Sequence, residues 1–203
     1  KELQDNIAPH QALQLLRDGN ARFVSNLKMN RNLLQQVNET MEGQHPFAVI
    51  LSCIDSRTSA ELIFDQGLGD VFSIRIAGNI LNDDILGSME FACKVAGAKI
   101  VVVLGHTKCG AIKGACDHVE MGNLTGLLRK IQPAMERTPY TNGTLFAYPN
   151  AVAASNVHHV MDEIPQRSPM LNEMIEAHQI AIVGGMYDVE TGRVDFFEHP
   201  HLF

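Results

Sequence analysis

No apolar run in this sequence is long enough to span a bilayer, which excludes a transmembrane helix. Positive charge is scarce: 16 Lys and Arg stand against 23 Asp and Glu, a net charge of −7 with neutral histidines. That balance leaves no footprint for nucleic acid or an anionic membrane. Four cysteines in 203 residues are too few for a disulfide scaffold. None of them forms the Cys-x-x-Cys pair that a redox thiol protein would favour. Internal repeats and low-complexity linkers are absent, so residues 1–203 read as one domain. The opening residues, KELQDNIAPHQ, lack the pattern of a signal peptide. The expected location is therefore cytoplasmic, or a periplasm or organelle if a targeting segment has been removed. Hydrophobic residues make up 45% of the chain, enough for a full core.

The apolar pattern alternates between two periods. Ala12, Leu13, Leu15, Leu16 and Phe23 mark an amphipathic helix over about 8–27, and RNLLQQVNETMEG can form a second. PFAVILSC and AKIVVVLG are continuous apolar runs, as expected of strands buried on both faces. DVFSIRIAG alternates from Val71 to Ile76 and reads as another strand. Between and after them SAELIFDQGLGD, DDILGSMEFACKVAG and KCGAIKGACDHVEMG read as helices. Residues 124–178 look mostly helical, broken by Pro133, Pro139, Pro149, Pro165 and Pro169. The end, HQIAIVGGMYDVETGRVDFFE, reads as strand, turn and returning strand. This order predicts an α/β fold: four parallel strands plus an antiparallel edge strand, flanked by helices, with an N-terminal helical extension.

Chemistry concentrates where two buried strands end. Cys53, Asp55 and Arg57 follow one; His106 and Cys109 follow the other. In an open α/β sheet ligands collect at the carboxyl ends of strands, so neighbouring strands would aim both groups at one crevice. Two thiolates and an imidazole suit Zn²⁺, and three protein ligands leave the open position of a catalytic site. A helix start after Cys109 favours its thiolate. Either motif alone can also be a strand that ends in polar residues. Cys93 and Cys116 sit in apolar helical patterns and are expected to pack as small hydrophobes.

CIDSR and GHTKCG, with IFDQGLGDVFSIRIAGN between them, resemble the signatures of β-class carbonic anhydrases, in their bacterial branch. The similarity is strong over Gln44 to Cys116 and looser in the flanks. It implies one Zn²⁺ per chain on Cys53, His106 and Cys109, and the reversible hydration of CO₂ to bicarbonate and a proton. It also implies a homo-oligomer, a dimer or a dimer of dimers. Residues 1–43 would then be an arm packing on a partner subunit and residues 44–203 the zinc-binding core.

Water has a pKa of about 15.7, lowered to about 7 on zinc, and two thiolates should oppose that acidification. Arg57 can hold Asp55 ionised, and Asp55 can then orient the attacking hydroxide as the catalytic pair. By the resemblance, Asp55 can also swing onto the metal in a closed, inactive state. The family's bicarbonate-regulated subtype has Trp three residues before the first Cys. Here that residue is Ile50, the chain has no Trp, and Thr58 replaces the subtype's Val, although Arg75 matches. The open, Asp55–Arg57 paired state is therefore expected near neutral pH.

The resemblance further assigns substrate-side roles to Gln44, Phe72, Phe91 and Gly110. Phe91 stands where many members have Tyr. By pattern alone both phenylalanines are ordinary core residues and Gln44 a loop residue. Competing readings are a CS₂ or COS hydrolase on the same fold, and a non-catalytic zinc-binding regulatory protein.

Overall fold

The computed structural model describes residues 2–139 and 147–197. Residues 140–146 of the expected helical stretch lie outside that range. The elements run α1 (Glu2–Asn6), α2 (Pro9–Val24), α3 (Leu33–Thr40), β1 (Ala48–Ser52), α4 (Ala60–Ile63), β2 (Val71–Arg75), α5 (Asp83–Glu90) and β3 (Ile100–His106). They continue with α6 (Gly110–Cys116), α7 (Gly122–Leu128), α8 (Gln132–Glu136), α9 (Tyr148–Arg167), α10 (Pro169–Glu176), β4 (Ala181–Tyr187) and β5 (Val194–Phe196). A 3₁₀ turn spans Ala77–Asn79, and a π-turn, Phe91–Val95, continues α5. No helix among the described residues is long and apolar enough to cross a membrane.

The sheet order is β2-β1-β3-β4-β5, with β5 alone antiparallel. Every residue of β1 and β3 is buried, which explains their unbroken apolar runs. Successive side chains point to opposite faces. Val49, Leu51, Val101 and Val103 meet α5, α9 and α10 on one side. Ala48, Ile50, Ile100, Val102 and Leu104 meet α2 and α4 on the other. A fully buried Leu such as Leu16 contributes about 1.5–3 kcal/mol. α9 lies close on β3: a Cβ on Gly105 would sit 2.7 Å from Val157 and Met186, so only glycine fits there.

The N-terminal arm divides in two. α2 starts on Pro9, with the Ala8 N–H donating to Gln11 Oε1 at 2.8 Å, and buries Ala12, Leu13 and Leu16 under its own sheet. α1 is pinned by Gln4, whose buried amide donates to the carbonyls of Pro46 and Ala96. α3 is different. Capped by Asn32, it leaves Leu33, Leu34 and Val37 at 56%, 74% and 49% exposure.

Two sequence expectations are corrected. The helix read in SAELIFDQGLGD stops at Ile63, because Asp65 and Gly69 take left-handed backbone angles (φ 46° and 85°). Of the five late prolines, Pro165 alone lies within a helix; the others stand at or between helix ends. Pro133, Pro149 and Pro169 open α8, α9 and α10, where a missing N–H costs nothing. Pro165 sits in the last turn of α9, where it removes a single bond.

Candidate metal centre

The chain passes from β1 to β2 on one side, then returns across β1 to β3 on the other. The gap between β1 and β3 is therefore the switch point, where strand ends diverge and leave a crevice. Cys53 follows β1, His106 ends β3, and Cys109 stands immediately before α6. All three are buried, at 3%, 1% and 3% exposure, and their donor atoms lie within 4.8 Å of one another.

The donor chemistry fits a soft divalent ion. Two Zn–S bonds of ~2.3 Å at a tetrahedral angle place their sulfurs ~3.8 Å apart. The Cys53 and Cys109 sulfurs are 3.9 Å apart. His106 Nδ1 lies 2.9 Å from the Thr107 carbonyl, which only accepts, so Nδ1 carries the proton and Nε2 presents a lone pair. Nε2 is buried and has no hydrogen-bond partner. A buried polar atom left without a partner is costly, and a metal ion satisfies it.

The two thiols are shifted in opposite directions. The hydrogen bond from Cys109 draws the Cys53 thiol down to about 4, against burial and with help from His106 and the Gly78 and Asp55 backbone. The same bond, then burial, pushes Cys109 up, while the backbone of Ile112 and Ala111 pulls it down. Burial alone raises Cys93, to about 12, as expected of an inert packed thiol.

Asp55 and Arg57 form a closed pair beside the cluster. Arg57 donates Nε to Oδ1 at 2.9 Å, Nη2 to Oδ2 at 2.7 Å and its backbone N–H to Oδ1 at 3.0 Å. Those side-chain bonds outweigh burial and hold the carboxyl well below the usual carboxylate range. The Cys53–Thr58 loop is fixed through its backbone. Arg75, from neighbouring β2, donates to the carbonyls of Cys53 (3.0 Å) and Asp55 (2.6 Å). The buried Thr58 hydroxyl lies 2.9 and 2.8 Å from the same two oxygens. Arg57 Nη2 also reaches the Lys108 carbonyl at 3.4 Å, which ties the first ligand loop to the second.

Cys53, His106, Cys109, Asp55 and Arg57 are thus brought together. Gly110 adjoins them, and a side chain there would meet nothing within 4 Å. Gln44, Phe72 and Phe91 lie elsewhere. Gln44 is exposed ahead of β1. Phe72 pairs in register with Val49, four residues and about 13 Å of strand from Cys53. Phe91 packs edge-on to Phe72 with centroids 6.2 Å apart, and remains 51% exposed.

Three participants escape sequence reasoning. Asn150 Oδ1 accepts the Lys108 N–H at 2.9 Å, Asn156 Nδ2 donates to the Gly78 carbonyl at 2.9 Å, and the Gly78 N–H points at Cys53 Sγ at 3.4 Å. Gly78 had a signal, a glycine–asparagine step closing a strand, which favours left-handed backbone. The asparagines sit inside a helical pattern and had none.

Comparison with known proteins places this geometry. The carbonic anhydrase family model matches residues 48–194. A carbonic anhydrase of Mycolicibacterium smegmatis is 34% identical over 202 residues, covering 96% of each chain. Carbonic anhydrase 2 of Mycobacterium tuberculosis is 34% identical over 205 residues, covering 96% of this chain and 95% of that one. Among solved structures, the β-carbonic anhydrase CafA of Aspergillus fumigatus superposes with a TM-score of 0.75 at 25% identity, over 93% of this chain and 90% of the other.

Proposed function

This chain belongs to the carbonic anhydrase family, in its β class, and we propose that it hydrates CO₂ reversibly to bicarbonate and a proton using Zn²⁺ held by Cys53, His106 and Cys109. The observation that carries this reading is the buried, unpartnered Nε2 of His106 facing two sulfurs at tetrahedral spacing. When bound, zinc supplies Lewis acidity that makes water a nucleophile near neutral pH. The chain does the rest. Asp55, held ionised by Arg57, accepts a hydrogen bond from the attacking water and turns its lone pair toward CO₂. Arg57 occupies both carboxylate oxygens, which keeps Asp55 at its post rather than on the metal. Arg75 and Thr58 fix the carbonyls on either side, so Asp55 needs no reorganisation during turnover.

Gln44, Phe72 and Phe91 cannot serve the metal centre of their own chain from the far end of β1. They serve that of a second copy. The exposed Phe91, and the unpaired apolar residues Leu33, Leu34 and Val37 of α3, are the surfaces that second copy covers. Within residues 1–43, α3 offers an exposed apolar face for that contact.

Stopped-flow CO₂ hydration on zinc-quantified protein tests the proposal. One zinc per chain with rapid turnover is expected. Full zinc occupancy without turnover of CO₂ overturns it, and turnover of CS₂ or COS instead would redirect the site to those gases.

A further inference from the structure

Two thiolates place more charge on a divalent ion than the imidazoles of other hydrolytic sites, so something in the chain must draw it back. The Gly78 backbone is placed to do so. Ile76 extends the sheet pairing, its N–H bonded to the Ser52 carbonyl at 3.1 Å, and the chain then turns through Ala77–Asn79. Gly78 adopts φ 68°, ψ 17°, which aims its N–H at Cys53 Sγ, 3.4 Å away. A Cβ there would lie 3.0 Å from Ile131 and 3.4 Å from Ala111, two residues past Cys109, so the turn is wedged against the start of α6. From the other side Asn156, on α9 and 0% exposed, donates Nδ2 to the Gly78 carbonyl at 2.9 Å.

Packing does not explain Asn156. Its Oδ1 is buried without a partner, whereas a leucine of nearly the same shape would fill the site with no polar atom to satisfy. What the amide contributes is the grip on Gly78. We infer that Asn156 is a positioning residue for the metal centre, clamping Gly78 so that its N–H withdraws charge from the Cys53 thiolate. The inference rests on the zinc reading above. It extends that reading to a residue 47 positions beyond the last ligand by number, on a helix that supplies no ligand.

The test compares wild type with Asn156→Leu, both loaded with Co²⁺ as a spectroscopic substitute for zinc. Wild type should take up one Co²⁺ per chain with a thiolate-to-metal charge-transfer band; without it the zinc reading itself fails, and this inference with it. In Asn156→Leu the band should move to lower energy, because an unbonded thiolate donates more strongly. Zinc affinity, measured by competition with a chelator, should fall about 10-fold, as for other outer partners of metal ligands, because loss of the fixed Cys53 orientation outweighs its stronger donation. A folded variant whose band and affinity match wild type overturns the inference, even if its activity drops. Should the variant not fold, wild type answers alone. In protein loaded with an NMR-active cadmium isotope, the Gly78 amide proton should show scalar coupling to the metal through sulfur, and its absence overturns the assignment.

Discussion

Replacing Asp55 by Asn separates steering from metal binding. The carboxylate accepts three N–H bonds from Arg57 between 2.7 and 3.0 Å. Oδ1 takes two of them, so the amide oxygen of the substituted side chain would settle there and its NH₂ would replace Oδ2. That group then faces the Arg57 Nη2–H donor against donor, and the charge-assisted bond is lost. It also meets the attacking water with a hydrogen rather than a lone pair. Removing one preorganised polar group from a reacting centre costs about 2.7–4 kcal/mol, or about 10²–10³-fold in rate. Zinc should stay, since Asp55 is not among the clustered donors and its loop is held by carbonyl bonds to Arg75 and Thr58. Stability should hardly change, because Arg57 is 48% exposed and solvent screens the pair. The assay is stopped-flow hydration per bound zinc, beside a thermal melt. Turnover within about threefold of wild type would refute the steering role. Loss of zinc together with activity would refute the claim that the loop's backbone stands without the carboxylate.

Cys109→Ala should weaken zinc binding by more than about 100-fold, beyond the loss of an outer partner, by chelator competition; stoichiometric zinc would remove it from the ligand set. Phe91→Tyr adds a hydroxyl to a ring half-exposed within its own chain, so each chain should fold with the melting temperature shifted by less than about 2 °C, and retained activity would show that the seam with a second copy accepts the hydroxyl. Asp65→Asn should cost about 2 kcal/mol in a urea melt, because Asp65 joins Arg22 and Arg31 (2.6 Å each) beneath side chains only partly open to water. Burial would raise the Asp65 carboxyl, but Arg22, Arg31 and the Met29 N–H outweigh it and lower it, so its stabilisation is present above about pH 4 and lost below; a mutational cost as large at pH 2 as at pH 7 would contradict this. Leu34→Asp with Val37→Asp should reduce the particle mass in sedimentation, and an unchanged mass would take α3 out of the interface.

How legible each element was depends on the range of the forces that define it. β1 and β3 are buried on both faces, so their runs announce them without any knowledge of neighbours. The end of α4 is set at long range: Asp65 takes its left-handed angle with its carboxylate held by arginines 43 and 34 positions away. No local pattern in SAELIFDQGLGD carries that information. The same division runs through the site. The three clustered donors stand within five residues of a strand end, where periodicity places them. Asn150 and Asn156 reach their partners across 42 and 78 positions, from the interior of a helix that would read the same without them.

The spacing of the two motifs then has a physical reason. Cys53-x-Asp55-x-Arg57 and His106-x-x-Cys109 fix few side chains because, Thr107 apart, the intervening residues serve the site through backbone. Ile54 is 61% exposed, and Ser56 and Lys108 are exposed too. The working parts between the ligands are peptide groups: the carbonyls of Cys53 and Asp55 on Arg75, the Lys108 carbonyl on Arg57, and the Lys108 N–H on Asn150. At Ile54, Ser56 and Lys108 any residue able to adopt the local φ and ψ supplies the backbone equally well, whereas the Thr107 hydroxyl donates to Asp188 Oδ1 and accepts the Val189 N–H. Lys108, at φ 56°, is the position where that condition bites, and the bond from its N–H to Asn150 helps to hold a conformation that a side chain resists. A strand end delivers a thiol or an imidazole to the crevice but leaves it free to rotate. The backbone bonds from Arg75, Arg57, Asn150 and Gly78 turn that delivery into a fixed donor set, which a catalytic metal with an open position requires.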